Sequence, residues 1–203
     1  MQDNQKTVSQ DGSDVFKTRG FQKIDRAVNQ SIAVVKQAKL GKRNVLATSW
    51  KRLNKNLLGG LQKGKMYVIA GRPGVGKSAF SNQLIFDVLD TNKAKKLIVL
   101  YWTFEMPGYQ QVMRSASKDV KKQMSDLLSV ESPLSDIDFK TYASKVQKYG
   151  NYPIYFNNIP RSMEYIMNTN EELFNQHPEH TVINLFDHSR LIRGNEDTEL
   201  RRL

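Results

Sequence analysis

The 203-residue sequence contains no cysteine, which excludes a disulfide framework and a thiolate metal site. It has no apolar run long enough to span a membrane, because the most apolar stretch covers only residues 97–102. The amino-terminal residues are polar and lack the apolar segment of a secretory signal. These features fit a reducing cytoplasm.

Acidic residues are missing from one long stretch of the chain. Residues 26–86 contain twelve Lys and Arg residues and no Asp or Glu. The net charge of the whole chain is +11, so the excess positive charge is concentrated in this stretch. Such regional positive charge attracts polyanions, and nucleic acid is the most common of them. The alternative is a solvated basic helix face that meets an acidic patch on another subunit. The charge pattern alone leaves both interpretations open.

The first part of the chain has the pattern of a tail followed by a single amphipathic helix. Residues 1–18 are polar and predict a disordered tail. A helix over residues 21–40 is predicted within a 19–48 segment of linker helix and basic connection. Its apolar positions recur every three or four residues, at Phe21, Ile24, Val28, Ile32 and Val35. One apolar stripe on an otherwise polar helix needs a partner to cover it.

From Met66 onward, strands and helices alternate. The strands are continuously apolar, which is typical of a parallel sheet covered by helices on both faces and predicts an α/β fold. The chain stops soon after the fourth strand, so we expect an incomplete sheet. The predicted strands cover residues 66–70, 97–103, 152–156 and 181–186, and the predicted helices cover residues 78–90, 107–118, 135–149 and 162–175.

A complete phosphate-binding motif lies between the first predicted strand and the first predicted helix. Residues 71–78 read GRPGVGKS and match G-x-x-x-x-G-K-[ST]. Glycines let successive backbone N–H groups converge on phosphate oxygens, Lys77 would reach the β- and γ-phosphates, and Ser78 would bind Mg²⁺. The alternative, a flexible glycine-rich turn, does not require this strand–loop–helix context. The predicted ATP-binding residues are Gly71, Arg72, Pro73, Gly74, Val75, Gly76, Lys77, Ser78 and Ala79.

Two carboxylates follow apolar strands and could complete this site. Asp187 ends the fourth strand, where a P-loop ATPase holds Mg²⁺, although a role as a cap of the next turn is the alternative. Glu105 follows the second strand and could orient and deprotonate the attacking water. It could equally be a surface residue that favours the start of the helix at Pro107. The predicted catalytic residues are Glu105 and Lys77, and the predicted Mg²⁺ ligands are Ser78 and Asp187.

Taken together, several segments resemble the DnaB-type replicative DNA helicases, whose ATPase domain is RecA-like. The Arg-Pro pair inside the loop and the Phe-x-Glu-Met spacing favour this family over the recombinases and clock proteins of the same fold. The segments are LGGL at residues 58–61, Gly64, GRPGVGKS at residues 71–78 and FEM at residues 104–106.

The resemblance implies an ATP- and Mg²⁺-dependent helicase that moves along single-stranded DNA as a hexameric ring. It implies that Glu105 activates water, that Ser78 and Asp187 hold Mg²⁺, and that residues 21–40 dock on a neighbouring subunit. It also implies a primase or loader as a possible partner, and the cytoplasm of a bacterial or phage-infected cell. Residues 49–203 would be the amino-terminal portion of the ATPase domain.

This sequence also departs from the family. His188, Ser189 and Arg190 follow Asp187 where the family usually has Tyr-Leu-Gln. The sensor, DNA-loop and arginine-finger motifs are not found, so no arginine is assigned the finger role. The alternatives are a truncated ATP-binding relative that regulates or assembles a ring without unwinding DNA, and another RecA-like ATPase of the recombinase type.

Overall fold

The computed structural model describes residues 20–187, and the predictions for residues 1–18 and for residues after Asp187 lie outside that range. The chain divides into two compact units at Asn44 and Val45, and each unit is described by itself. None of the helices within residues 20–187 is long and apolar enough to span a membrane.

The first unit contains one helix, α1, over Ile24–Lys39. It starts three residues later and ends one residue earlier than the sequence predicts. No residue of α1 is buried, and the apolar stripe is openly exposed, with 74% of Ile24 and 62% of Ile32 accessible. Within residues 20–44, therefore, nothing covers the stripe.

The second unit is an α/β fold with two sheets. Its elements are β1 (Val45–Leu46), α2 (Lys51–Asn56), β2 (Leu61–Gln62), α3 (Lys77–Thr91), β3 (Leu97–Thr103), α4 (Gly108–Val120), α5 (Met124–Leu127), α6 (Asp136–Gln147), a 3-10 helix (Lys148–Asn151), β4 (Ile154–Asn157), α7 (Met163–Gln176) and β5 (Thr181–Asp187).

The main sheet has the order β4-β3-β5, and both strand pairs are parallel. Val99 at the centre of β3 lies opposite Ile154 of β4 and Ile183 of β5. Every residue of β3 is buried, as expected for a strand covered on both faces. The predicted parallel α/β architecture is confirmed.

Alternate residues of β3 enter two separate hydrophobic cores. Leu97 and Val99 pack with Ile85, Val88 and other residues of α3 on one face. On the other face, a second core joins α7 to the sheet through Ile98, Leu100, Trp102 and Ile166. Since α3 carries the end of the phosphate-binding motif, the first core fixes that motif against the sheet.

A short antiparallel pair, β1 and β2, holds the chain that precedes the phosphate-binding motif. Gly60, just before β2, has φ +143°, and a Cβ there would lie 2.3 Å from the Leu46 carbonyl oxygen. Asn92 then fastens this pair to the end of α3, because its side chain exchanges hydrogen bonds with both the N–H and the carbonyl of Ala47. Trp50 adds a stacking contact with Phe80 of α3, at a centroid distance of 5.4 Å.

The predicted strand over residues 66–70 is wrong. These residues form no strand, and none of β1 to β5 pairs with them. Met66 is 88% exposed and Val68 is 76% exposed. Apolar, β-branched composition favours a strand only where a neighbouring strand supplies hydrogen-bond partners, and none of the described strands lies beside this segment.

Candidate functional site

The motif of residues 71–78 forms an exposed loop that ends in the first turn of α3. Gly74 has φ +79° and Gly76 has φ +89°, so both occupy the left-handed region that favours glycine. Gly76 is the residue before α3, and Lys77 is the first residue of the helix. The loop therefore delivers its backbone to the positive end of the helix dipole, where anions bind.

Internal contacts curl the loop back on itself. The Lys77 ammonium donates a hydrogen bond of 3.1 Å to the carbonyl of Arg72. A Cβ placed on Gly71 would come within 2.9 Å of the Val75 side chain, so a larger residue there would require Val75 to shift. Pro73 and Ala79 are exposed on either side of the curl. The result is an exposed loop that folds back toward the start of α3.

The structure brings Ser78 and Asp187 together although 109 residues separate them. The Ser78 hydroxyl donates a hydrogen bond of 2.9 Å to Asp187 Oδ1. Asp187 is the last residue of β5 and is only 8% exposed. Its Oδ2 is buried without a hydrogen-bond partner in the part of the chain that the structure describes. A buried carboxylate oxygen of this kind is costly unless something else binds it.

The chemistry of this pair suits a hard divalent cation. A serine hydroxyl and a carboxylate with one unpaired oxygen are oxygen donors, which Mg²⁺ prefers. Within residues 20–187, the Asp187 carboxylate accepts its side-chain hydrogen bond from Ser78. The residues therefore fit the predicted Mg²⁺ site, and the binding of the ion itself stays a prediction.

Glu105 lies at the same edge of the sheet as Asp187. It is exposed and comes two residues after Thr103, the end of β3, and Thr103 is the register partner of Asp187. The Thr103 hydroxyl donates to the carbonyl of Met106, which closes the turn containing Glu105. The topology therefore places the turn at the same edge of the sheet as Asp187, and contact between Glu105 and a water stays a prediction.

Sequence reasoning missed a layer of buried polar residues behind this edge. Asn82 donates to the Gln111 carbonyl at 3.0 Å and to Ser115 Oγ at 2.8 Å, and Gln111 donates to Thr103 Oγ1 at 3.2 Å. The Asn82 and Gln111 side-chain oxygens have no partner among the described residues. The sequence feature that could have indicated this layer is Asn82, a polar residue on the core face of α3, one turn after Ser78.

Tyr101 belongs to the same layer. Burial raises the pKa of its hydroxyl well above the usual range, and the nearby Asp187 carboxylate raises it further, while Arg114 acts in the opposite direction. The hydroxyl therefore stays protonated, and it is buried without a partner in the described part of the chain. It can only act as a neutral hydrogen-bonding group behind Asp187.

Comparison with known proteins gives a family and a fold. The DnaB-like helicase C-terminal domain family matches residues 45–203. A solved structure described as a DnaB-like replicative helicase and its interactions with primase is 18% identical, with a TM-score of 0.68 over 85% of this chain and 40% of that chain.

A second solved structure, described as an ATPase domain, has the same TM-score of 0.68 at 15% identity and covers 85% of this chain and 60% of that chain. The present chain thus spans less than two thirds of either structure. The likeness supports a RecA-like ATPase fold, in agreement with the parallel sheet and its covering helices. Because the family match extends over most of the sequence, the chain belongs to the family of DnaB-like helicase C-terminal domains.

Proposed function

We propose that this chain is the ATP-binding and ATP-hydrolysing domain of a replicative DNA helicase, in which hydrolysis drives movement along single-stranded DNA and duplex unwinding. The observation that carries the proposal is the 2.9 Å contact between Ser78 Oγ and Asp187 Oδ1. It joins the end of the phosphate-binding motif to a buried carboxylate at the carboxyl edge of a parallel sheet, where α/β proteins bind ligands.

The loop of residues 71–76 and the first turn of α3 would hold the triphosphate. The left-handed backbone at Gly74 and Gly76 turns N–H groups toward bound phosphate oxygens. The Lys77 ammonium, which contacts the Arg72 carbonyl, would neutralise charge on the β- and γ-phosphates.

Ser78 and Asp187 would hold Mg²⁺ through their hydroxyl and carboxylate oxygens. When bound, Mg²⁺ neutralises charge that develops on the phosphate oxygens during transfer. The buried position of Asp187, with Tyr101 behind it, keeps its carboxylate in one place and limits its exposure to solvent.

Glu105 would orient the attacking water and accept its proton. Two observations support this role: Glu105 follows the end of β3 at the same edge of the sheet as Asp187, and its side chain is exposed. A general base in this position contributes roughly 100- to 10,000-fold to the rate.

Partners follow from the exposed surfaces and the family. The uncovered apolar stripe of α1 supports docking on a neighbouring subunit in a hexameric ring. The basic stretch of residues 26–86 supports contact with single-stranded DNA. A primase is a possible further partner, and a cytoplasmic location fits all of these.

An alternative is an ATP-binding subunit that assembles or regulates such a ring, or a RecA-like ATPase of the recombinase type. The observation that favours the first alternative is the exposure of residues 66–70, which lead directly into the phosphate-binding loop without pairing with β1 to β5. Because the segment before the loop is not paired with any of these strands, we expect the loop to need a larger assembly for full activity.

The test compares two serines on α3. Ser78→Ala removes the hydroxyl that contacts Asp187, whereas Ser81→Ala removes one that donates only to the Lys77 carbonyl within the helix. We expect Ser78→Ala to lose Mg²⁺-dependent ATP hydrolysis and unwinding, with Ser81→Ala close to wild type. Equal activity of the two variants would refute the site. The wild-type chain also distinguishes the proposal from the assembly or regulatory alternative. If it binds ATP and forms rings with a Mg²⁺–ATP analogue but neither hydrolyses ATP nor unwinds DNA, the alternative is correct.

A further inference from the structure

The turn between α7 and β5 groups three potential metal ligands at the edge of the sheet opposite the nucleotide site. His177 follows the last residue of α7, and His180 precedes the first residue of β5. With Glu179, they offer two imidazole nitrogens and a carboxylate oxygen that all lie within 4.8 Å of one another. Imidazole and carboxylate together are a donor set that Zn²⁺ and similar transition ions accept.

One contact within this group is not an ordinary hydrogen bond. His180 Nδ1 lies 3.0 Å from Glu179 Oε1. The same nitrogen is nevertheless buried and has no hydrogen-bond partner in the part of the chain that the structure describes, so the geometry of the contact does not align a proton between the two atoms. Ligand distances of about 2.0–2.1 Å around a tetrahedral ion separate the ligand atoms by roughly 3.3 Å. The observed separation is close to that value.

The backbone holds these ligands in a fixed turn. The His177 N–H donates to the Leu173 carbonyl at 2.8 Å, and the His180 N–H donates to the His177 carbonyl at 3.0 Å. The following residue, Thr181, is tied to the Lys96 carbonyl at 2.9 Å. Binding an ion would therefore need side-chain adjustment rather than ordering of the chain, which keeps the entropic cost low.

The site borders open space. His180 lines a cavity of about 660 Å³, which leaves room for a water beside this ligand. Four lysines also line the cavity, Lys93, Lys95, Lys96 and Lys148, and their positive charge opposes the approach of a cation. Lys96 Nζ is 3.6 Å from Glu179 Oε1 and competes with a cation, but this contact is solvent-exposed and weak.

We propose that His177, Glu179 and His180 form a binding site for a transition metal ion of the Zn²⁺ type. It is separate from the nucleotide site, because β5 has seven residues and at about 3.3 Å per residue puts Asp187 roughly 20 Å from the turn. A bound ion would tie the end of α7 to the start of the strand that carries Asp187.

The experiment is a titration of the full, tag-free chain with Co²⁺ and then Zn²⁺, in excess Mg²⁺ so that oxygen-only sites are filled. We expect one Co²⁺ per chain with a visible absorption band of a four-coordinate ion, displaced by Zn²⁺. A double variant, His177→Asn with His180→Gln, should weaken binding at least about 100-fold, since loss of even an outer-shell partner costs 10- to 100-fold.

Two further variants keep the result interpretable. Glu179→Gln changes an exposed side chain, so it should fold normally and still weaken Co²⁺ binding. His188→Gln removes the third histidine of the sequence and should leave binding unchanged. Absence of Co²⁺ binding by the wild-type chain, or binding that survives the double variant, would overturn the proposal. Neither result would bear on ATP hydrolysis at the other edge of the sheet.

Discussion

The first and last turns of α3 serve different purposes, and their hydrogen bonding shows it. At the start, Ser78 meets the buried carboxylate of Asp187, whose second oxygen has no partner within residues 20–187. At the end, Asn92 is equally buried, but its amide exchanges bonds with the Ala47 N–H and carbonyl and also donates to the Val88 carbonyl.

The difference teaches how to separate binding groups from structural groups on one helix. A buried polar side chain whose capacity is used up inside the protein contributes to stability. A buried polar atom with unused capacity costs free energy, so its retention points to a ligand. Changes at the start of α3 should therefore remove activity without unfolding the chain, and changes at its end should do the opposite.

The largest effect is expected for Lys77→Ala. It removes the ammonium that would bind the β- and γ-phosphates, and loss of a charged contact of this kind should lower ATP hydrolysis by roughly 1,000-fold. The melting temperature should stay the same, because the hydrogen bond from the ammonium to the Arg72 carbonyl is exposed to solvent. Lys63→Ala is the matched control in the same basic stretch, and a similar loss of steady-state hydrolysis there would contradict the site.

Glu105→Gln should separate binding from turnover at the same edge. We expect kcat to fall roughly 100-fold or more, because the amide cannot accept the proton of the attacking water. Nucleotide affinity, measured by calorimetry with a non-hydrolysable analogue, should be unchanged. Glu131→Gln, at another exposed glutamate, is the control. Parallel loss of affinity and turnover in Glu105→Gln would assign it a structural role.

At the other end of α3, Asn92→Ala should act on stability alone. It leaves the backbone N–H and carbonyl of Ala47 without their partners, so we expect a loss of about 2 kcal/mol in the free energy of unfolding. Urea denaturation measures it, and Asn56→Ala on exposed α2 is the control. Unchanged stability would show that solvent replaces these bonds.

The smallest effect is expected for Ser162→Ala, on the far face of the sheet. Ser162 caps α7 by accepting a bond from the Tyr165 N–H, and loss of such a cap costs about 1 kcal/mol. Thermal denaturation should show a small shift, and ATP hydrolysis should not change. Ser162→Asp retains a capping acceptor and should preserve stability; an equal loss in both variants would mean that the hydroxyl acts elsewhere.

The sequence predicts the parallel sheet well because its central strand, β3, is buried on both faces and is therefore continuously apolar. β3 and β5 begin where continuous apolar runs predict them, and Ser162 marks the start of α7 as a residue that can cap a helix. The strand prediction for residues 66–70 is wrong because apolar composition does not indicate whether a neighbouring strand is present to pair with the segment. Strand formation depends on a partner that local composition cannot report.

For the site, motif spacing located the loop and the two carboxylates but not what lies behind them. The contact between Ser78 and Asp187 joins residues 109 positions apart, and only the order of strands in the sheet brings them together. The polar layer of Asn82, Gln111 and Tyr101 depends on how α3 and α4 pack on β3. Side-chain pairing across elements is a tertiary property that periodicity does not encode.

Because Trp50 stacks on Phe80, its fluorescence can report changes near the start of α3. The sequence has only two tryptophans, and the other, Trp102, is buried at the end of β3 with its indole N–H bonded to Asn184. Phe80 is partly exposed and lies two residues after Ser78, so nucleotide-induced movement there should change Trp50 emission. Trp102 should instead report unfolding of the sheet, and with Trp50 replaced by Phe the two signals can be read separately.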